Sequence, residues 1–285
     1  MGVQTTARRV AVLGIGLVDP ASAVLRADDL GVIRGDGVFE TMHVREGKPW
    51  LIDEHLARMR RSATRMEIEL PDAPTLGVLV EQALDGWPCA VEASVRLICT
   101  RGPDGGGPVT AFAIVAPVAA ATITARATGI TLATASLGYS AHVRERAPWL
   151  LGGAKTLSYA INMASQRWAA SHGVDDTLWI SSDGYVMEAP TSTVVWLSGG
   201  VLYSVPADET GILPGTTARH LIDHAGALGY TAAEQMTTVD ALLHADGVWL
   251  TSSVRGIAEV RAIDGESLRP AADTARMREL LGFTA

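Results

Sequence analysis

Residues Leu150–Tyr159 read LLGGAKTLSY, and they contain Lys155, one of only two lysines in the 285-residue chain. The other, Lys48, lies in the turn-like REGKPW, and the remaining 21 of the 23 basic side chains are arginines. Exposed cations in this protein are therefore arginines, and a lysine set among glycine, alanine and leucine is a chosen amine. Partial desolvation lowers the proton affinity of such an amine and makes it a nucleophile for carbonyl carbon, the route to a Schiff base. The partners of that amine decide both the fold and the chemistry.

Two further stretches bear on it. Glu188 stands in YVMEAPTSTVVW, at the end of a strand-like run and ahead of small hydroxyl residues. In GILPGTTARH, Gly215 allows close backbone approach, and Thr216 and Thr217 place hydroxyls and N–H groups where a helix begins, a recipe for holding a phosphate dianion. A lysine for an imine, a carboxylate for a pyridinium nitrogen and a phosphate cup together describe a pyridoxal-phosphate site. Other constellations fail. PDGGGP (Pro103–Pro108) lacks a Lys-Ser/Thr pair and a following helix, so it is not a P-loop. His220 and His224 are four apart on one helical pattern, but no third ligand is indicated and no metal is expected. Ser192 and Ser252 have no His/Asp arrangement around them that would mark a serine hydrolase. The basic run ARMRRSATR, Ala57–Arg65, reads by itself as a solvated helix face.

The formal charge of −8 argues against a nucleic-acid partner. No apolar run approaches the ~20 residues needed to span a bilayer, so no membrane partner is expected. Cys89 and Cys99 are too few for a disulfide framework and fit a reducing, cytoplasmic location. The start, MGVQTTARRVAVLGIGLVDP, satisfies a permissive myristoylation pattern and a loose twin-arginine pattern, neither strong enough to predict targeting.

Strands and helices are mixed without regular βαβ alternation, which predicts an α+β fold in two domains. VFETMHV, REGK and PWLI predict a hairpin, with Asp53 capping the helix that follows. Leu56, Met59, Ala63 and Met66 fall near one face of that helix. The expected division is a smaller domain over 1–120, a linker at 121–129 in the Ala/Thr-rich VAAATITARATG, and a larger domain over 130–285 carrying Lys155. Further helices are expected near 74–84, 156–171, 217–228 and 272–281, and YVMEA is expected to be a strand.

Five stretches in order, RGDGVFETMHVREGKPWLIDEHLARM, KTLSYAINMA, DGYVMEAPTSTV, GILPGTTAR and LTSSVRGI, resemble the class IV (fold type IV) pyridoxal-phosphate enzymes. That family includes branched-chain and D-amino-acid aminotransferases and 4-amino-4-deoxychorismate lyases. The resemblance implies that Lys155 is the Schiff-base lysine and that Glu188 pairs with the pyridine nitrogen. It assigns Arg58 to the cofactor phosphate, against its reading as a surface residue, and packs Leu213 on the pyridine ring. Gly215, Thr216, Thr217 and Ser252 fall on the phosphate side, and Ser192–Thr193 stands where the family usually shows Ser-Asn. The amides of Ser253 and Val254 match the place that receives a substrate carboxylate; Phe39, His43, Arg96 and Arg255 are the other substrate-side candidates. Tyr159 lies four residues after the lysine, where the branched-chain enzymes place a tyrosine at five.

For the substrate, FETMH replaces the FEGxR of branched-chain enzymes, with Thr41 for glycine and His43 for arginine. The loop PDGGGP lacks the Arg-x-His element of the D-amino-acid enzymes. Threonine at Thr41, a candidate catalytic group, and SSVRGI are similar to the lyases. The resemblance thus implies a lyase that eliminates pyruvate from aminodeoxychorismate and leaves p-aminobenzoate, a folate precursor. The alternative is an aminotransferase moving amino groups between D- or branched-chain amino acids and 2-oxo acids. It also implies a homodimer.

Overall fold

The computed structural model describes residues 8–283. The pattern at residues 1–7, including the myristoylation-like start, lies outside them. The chain divides into two compact units: the described residues up to Ala119 joined by Ala154–Tyr159, and Ala120–Gly153 joined by the described residues from Ala160 onward. The segment bearing Lys155 thus clusters with the first unit.

The first unit is built on a sheet in the order β2-β1-β6-β5-β3-β4. Its strands are β1 (Arg9–Val12), β2 (Gly16–Val18), β3 (Gly37–Arg45), β4 (Lys48–Pro49), β5 (Ala93–Thr100) and β6 (Thr110–Pro117). Its helices are α1 (Leu30–Ile33), α2 (Ile52–Arg65) and α3 (Ala73–Leu84). The β3–β4 hairpin turns at Glu46 and Gly47, with φ of 49° and 77°. Two consecutive positive φ angles match the twist of a two-residue hairpin.

Helix α2 buries Leu56, Met59 and Ala63, as their spacing predicts. It does not start on an Asp53 cap: Leu51, left-handed at φ 56°, precedes the first turn, and Asp53 and Glu54 lie within that turn. There their charges favour the helix dipole rather than capping an amide. Asp72 does cap α3 through the Thr75 amide, 2.9 Å away. Strand alternation then sorts β3. Val38, Met42 and Val44 join the core with α2 and α3. Phe39 lies on the opposite face with Ile98 and Phe112, and Leu157 and Tyr159 pack there.

Residues 155–157 line the end of β3 that the short β4 does not reach. The Phe39 amide donates to the Lys155 carbonyl at 3.2 Å, and the Leu157 amide to the Gly37 carbonyl at 2.8 Å. Backbone committed to that edge cannot also be helical, so the helix expected from Thr156 begins at Ala160.

The second unit holds a mixed sheet in the order β11-β10-β9-β12-β13-β7-β8, with β14 paired to β13. Its strands are β7 (Ile130–Ser136), β8 (Asp176–Ile180), β9 (Thr193–Ser198), β10 (Val201–Ser204), β11 (Thr231–Glu234), β12 (Gly247–Ser252), β13 (Gly256–Ile263) and β14 (Glu266–Ser267). The helices are α4 (Ala120–Thr128), α5 (Val143–Arg146), α6 (Ala160–Ser171), α7 (Ala207–Thr210), α8 (Thr216–Asp223), α9 (Val239–Leu243) and α10 (Thr274–Leu280). The β7–β8, β7–β13 and β10–β11 pairs are parallel, whereas β9–β10, β9–β12 and β12–β13 are antiparallel.

Three stretches differ from the sequence reading. The Ala/Thr-rich run is the helix α4, consistent with alanine's helix propensity. YVMEA forms isolated bridges rather than a regular strand, hydrogen-bonding to Trp179 and Ser181 beside β8. The helix expected over 217–228 breaks after Asp223 into a 3-10 turn at Ala225–Leu228, which contains Gly226, a poor helix former. Leu132, Leu178, Met187 and Leu250 centre the core of this unit. Among the described residues no helix is long and apolar enough to cross a membrane.

Candidate active site

In the first unit the lysine is held by its backbone. The Lys155 amide donates to the Ser62 hydroxyl at 3.0 Å, and its carbonyl accepts from Phe39. The side chain lies against the Phe39 and Tyr159 rings, with Nζ 4.6 Å and 5.5 Å from their centroids. Those rings meet edge to face at 5.2 Å. An amine against aromatic faces has lost part of its water shell, the setting that favours nucleophilic chemistry.

Arg58 is buried on α2, not solvated. Its guanidinium makes a two-bond fork to Glu40, Nε–Oε1 2.7 Å and Nη2–Oε2 2.6 Å. His55 Nδ1 lies 2.6 Å from the same Oε2. Burial acts most strongly on the Glu40 carboxyl and pushes it up, but the Arg58 charge and the Arg58 and His55 hydrogen bonds outweigh it and hold the group at about 2. Burial pushes His55 down, and the Glu40 contact does not restore it. The stable form is an ionised Glu40 beside a cationic Arg58 and a neutral His55. The fork fixes the guanidinium plane, and nothing in the sequence marks Glu40 as the residue that does so.

Thr41 pairs across the sheet with Arg96, which is exposed and lies 6.0 Å from the Phe39 ring centre. His43, expected at the substrate, is buried, and both its ring nitrogens are engaged. Nε2 lies 2.5 Å from Glu92, and Nδ1 accepts from Arg45 Nε at 2.8 Å.

In the second unit Glu188 is buried, with Oε2 accepting from the Leu213 amide at 3.1 Å and Oε1 3.4 Å from Arg144 Nη1. Arg144 also donates to the Gly211 carbonyl at 3.0 Å. Both contacts favour a charged carboxylate. The sequence reading misses Arg144; the charge-dense VRER of α5 is its one visible sign. The first of the two glycines before the lysine has a packing cause here. A Cβ on Gly152 would stand 2.9 Å from the Arg144 Cβ and 3.1 Å from the Gly211 Cα.

Leu213 and Gly215 lead into α8. Gly215 precedes the helix without a side-chain cap, and a Cβ there would meet the Thr193 hydroxyl at 2.3 Å. Thr217 is buried, and its hydroxyl has no hydrogen-bond partner among the described residues. A buried orphan hydroxyl at an uncapped helix start, beside a residue that excludes a Cβ, fits a phosphate group. Ser192 and Arg255 are also neighbours. Arg255 Nη2 donates to the buried Asp176 at 3.1 Å, and Nη1 lies 3.4 Å from the Ser192 hydroxyl. Ser252 ends β12, and Ser253 and Val254 follow in the turn to β13. His220 and His224 stack on each other at 4.2 Å, and among the described residues no cluster of three or more His, Cys, Asp or Glu could hold a metal.

The model of the amino-transferase class IV family matches residues 37–263. The chain belongs to that family. A bifunctional aminodeoxychorismate lyase / D-amino acid transaminase of Mycobacterium tuberculosis is 40% identical over 260 residues, covering 88% of this chain and 90% of that protein. An aminodeoxychorismate lyase of Bacillus subtilis is 28% identical over 87% of this chain and 84% of its own length. Among solved structures, the pyridoxal-phosphate-bound form of a hypothetical aminotransferase from Mycobacterium tuberculosis superposes with a TM-score of 0.92 at 39% identity, covering 97% of this chain and 98% of that one. This class IV chain is accordingly a pyridoxal-phosphate-dependent enzyme of fold type IV.

Proposed function

We propose that this class IV enzyme is a 4-amino-4-deoxychorismate lyase that releases p-aminobenzoate and pyruvate, and that it also transaminates D-amino acids at the same site. The observation that carries the reading is the 40% identity, across 88% of the chain, to a relative named for both activities. Thr41, where branched-chain enzymes resemble one another in having glycine, supports the lyase as the main activity.

In this reading Thr216, Thr217, Ser252 and the start of α8 hold the cofactor phosphate, with Gly215 admitting it, and Arg58 takes the phosphate role that the family resemblance implies. Ser192 and Thr193 border that cup, Leu213 packs on the ring, and Glu188, braced by Arg144, pairs with the ring nitrogen. Pyridoxal phosphate, when bound, supplies an electron sink for the carbon that bears the substrate amine. The chain supplies everything else. Lys155 Nζ takes the proton from that carbon, and its backbone anchorage fixes where Nζ can reach. Phe39 and Tyr159 keep water from the amine. The Ser253 and Val254 amides receive the substrate carboxylate, and exposed Arg96 opposite Thr41 offers a second anion contact.

For aminodeoxychorismate, the ring carbon–oxygen bond to the enolpyruvyl group then breaks. Enolpyruvate leaves and takes up a proton to become pyruvate, and the remaining ring is aromatic. For a D-amino acid no such leaving group exists; Lys155 Nζ then carries the abstracted proton onward, the amino group stays with the bound pyridoxal phosphate, and water releases the 2-oxo acid. Thr41, on the sheet face that carries Phe39, is assigned in this reading to assist the leaving enolpyruvate.

Purified enzyme loaded with cofactor is incubated with aminodeoxychorismate, and separately with D-alanine plus 2-oxoglutarate. Formation of p-aminobenzoate is the expected result. Amino transfer from D-alanine without any p-aminobenzoate would overturn the lyase reading.

A further inference from the structure

We infer that Arg126 is a positioning residue for the loop at 252–256, and that Phe283 holds Arg126 in the geometry this requires. The inference rests on the proposed function, in which the amides of Ser253 and Val254 receive the substrate carboxylate.

Helix α4 buries one residue, and that residue is Arg126. A helix that docks through an arginine meets a desolvation cost that a leucine in the same place would avoid. The use made of its donors explains the choice. Nη2 donates to the Val254 carbonyl at 2.7 Å, and Nε donates to the Arg255 carbonyl at 3.0 Å. One planar fork thus pins two consecutive peptide planes immediately after the amides that face the substrate. The torsions of Val254 connect its amide to the carbonyl that Arg126 holds, so fixing that carbonyl limits how far the amide can swing. A flexible ammonium offers no such pair of coplanar donors.

The loop leaves through Gly256 at φ +70°, and the C-terminal region is fitted to it there. A Cβ on Gly256 would lie 2.5 Å from the Phe283 ring. That ring also lies under Arg126, with the guanidinium carbon 4.3 Å from its centroid. Helix α10 closes the arrangement from its other side, as Arg278 Nη2 donates to the Arg126 carbonyl at 2.5 Å. Phe283 therefore touches both the arginine and the glycine exit of the loop, although the loop and the ring are far apart in sequence. The Arg255 side chain, held by Asp176, anchors the same loop at a third point.

The test uses the cofactor-loaded enzyme carrying Arg126→Lys, which keeps the charge and loses the fork, and separately Phe283→Leu, which keeps the apolar bulk and loses the ring face. Hydrogen exchange over 252–257 is read beside KM and kcat for the amino substrate, the Kd for pyridoxal phosphate and the melting temperature. Arg126→Lys is expected to speed exchange over 252–257 and to raise KM about tenfold, the scale of one lost charge-assisted hydrogen bond. The kcat and the cofactor Kd are expected to stay within about twofold, because Ser252 is held by its β12–β13 pairing while Arg126 binds the Val254 and Arg255 carbonyls, and binding common to ground and transition states moves KM alone. Phe283→Leu is expected to move the same two readouts, by less. Unchanged exchange in both variants would overturn the clamp. Faster exchange with unchanged KM would overturn the carboxylate role of the loop, which is a failure of the underlying reading. A cofactor Kd and a melting temperature that shift together with KM would show a general structural role and overturn the positioning role.

Discussion

Glu40→Gln removes the charge from the fully buried carboxylate that fixes Arg58 and leaves the side-chain shape intact. The wild-type carboxyl sits at about 2 against an ordinary value of 4.5. At about 1.4 kcal/mol per pH unit, that difference corresponds to about 3 kcal/mol of folding stability at neutral pH. Loss of one partner of a buried ion pair gives a similar figure, about 3–5 kcal/mol, because the remaining guanidinium stays buried without its counter-ion. Because the folded-state value is depressed, the contribution is complete above about pH 4.5 and disappears as pH falls through about 2. His55, also depressed, shows the same sign from a higher start: its neutral form favours the fold above its ordinary value near 6.5, and acid erodes that contribution. Urea titrations of both cofactor-free proteins at pH 7 and at pH 3 measure the difference. The expected deficit for Glu40→Gln is about 3 kcal/mol at pH 7, narrowing at pH 3. A deficit under about 1 kcal/mol at pH 7, or one equal at the two pH values, would refute the ion-pair reasoning.

Three other substitutions probe the remaining parts. Lys155→Ala keeps the native far-ultraviolet spectrum, because the segment is anchored by backbone groups, but lowers turnover by about 10³ or more; borohydride then fails to trap cofactor on the chain. Thr217→Val replaces an orphan buried hydroxyl with a methyl, so the cofactor-free protein melts at or above the wild-type temperature while the Kd for pyridoxal phosphate rises about tenfold; a lower melting point with an unchanged Kd would count against the phosphate cup. Arg144→Gln removes the cation beside Glu188 and lowers kcat/KM by about 10- to 100-fold, as expected for a charge-assisted contact; steady-state kinetics at saturating cofactor would expose an error if the ratio were unchanged.

Features governed by local rules and by rare residues are legible in the sequence. Lys155 stands out because lysine is nearly absent, and the β3–β4 hairpin can be read because Glu46–Gly47 suits a tight turn. The apolar spacing of α2 likewise announces its buried face. Features that depend on distant partners are hidden. Arg58 lies in a run of arginines that looks solvated, and Glu40, on another element, makes its burial tolerable. His43 looks available until Glu92 and Arg45 occupy both its nitrogens. Arg144 gains its meaning from Glu188 and Gly211, neither of them a sequence neighbour. The helix at 120–128 has the composition of a linker because its one buried side chain is an arginine, which leaves no apolar stripe to detect. The start of α6 is displaced from its sequence expectation because the pairing of 155–157 with β3 competes with helix formation and cannot be seen in a window of sequence.

That pairing bears on how the protein could be divided. Chain order places residues 154–159 a full secondary-structure tour away from the sheet they complete. A recombinant fragment stopping at Ala119 would therefore carry an uncovered stretch of β3, with amides and carbonyls open to any passing strand. Supplied as a separate peptide, the missing hexad would act as a graft. Reassembly of the two pieces would report on β3 register by itself, independent of catalysis.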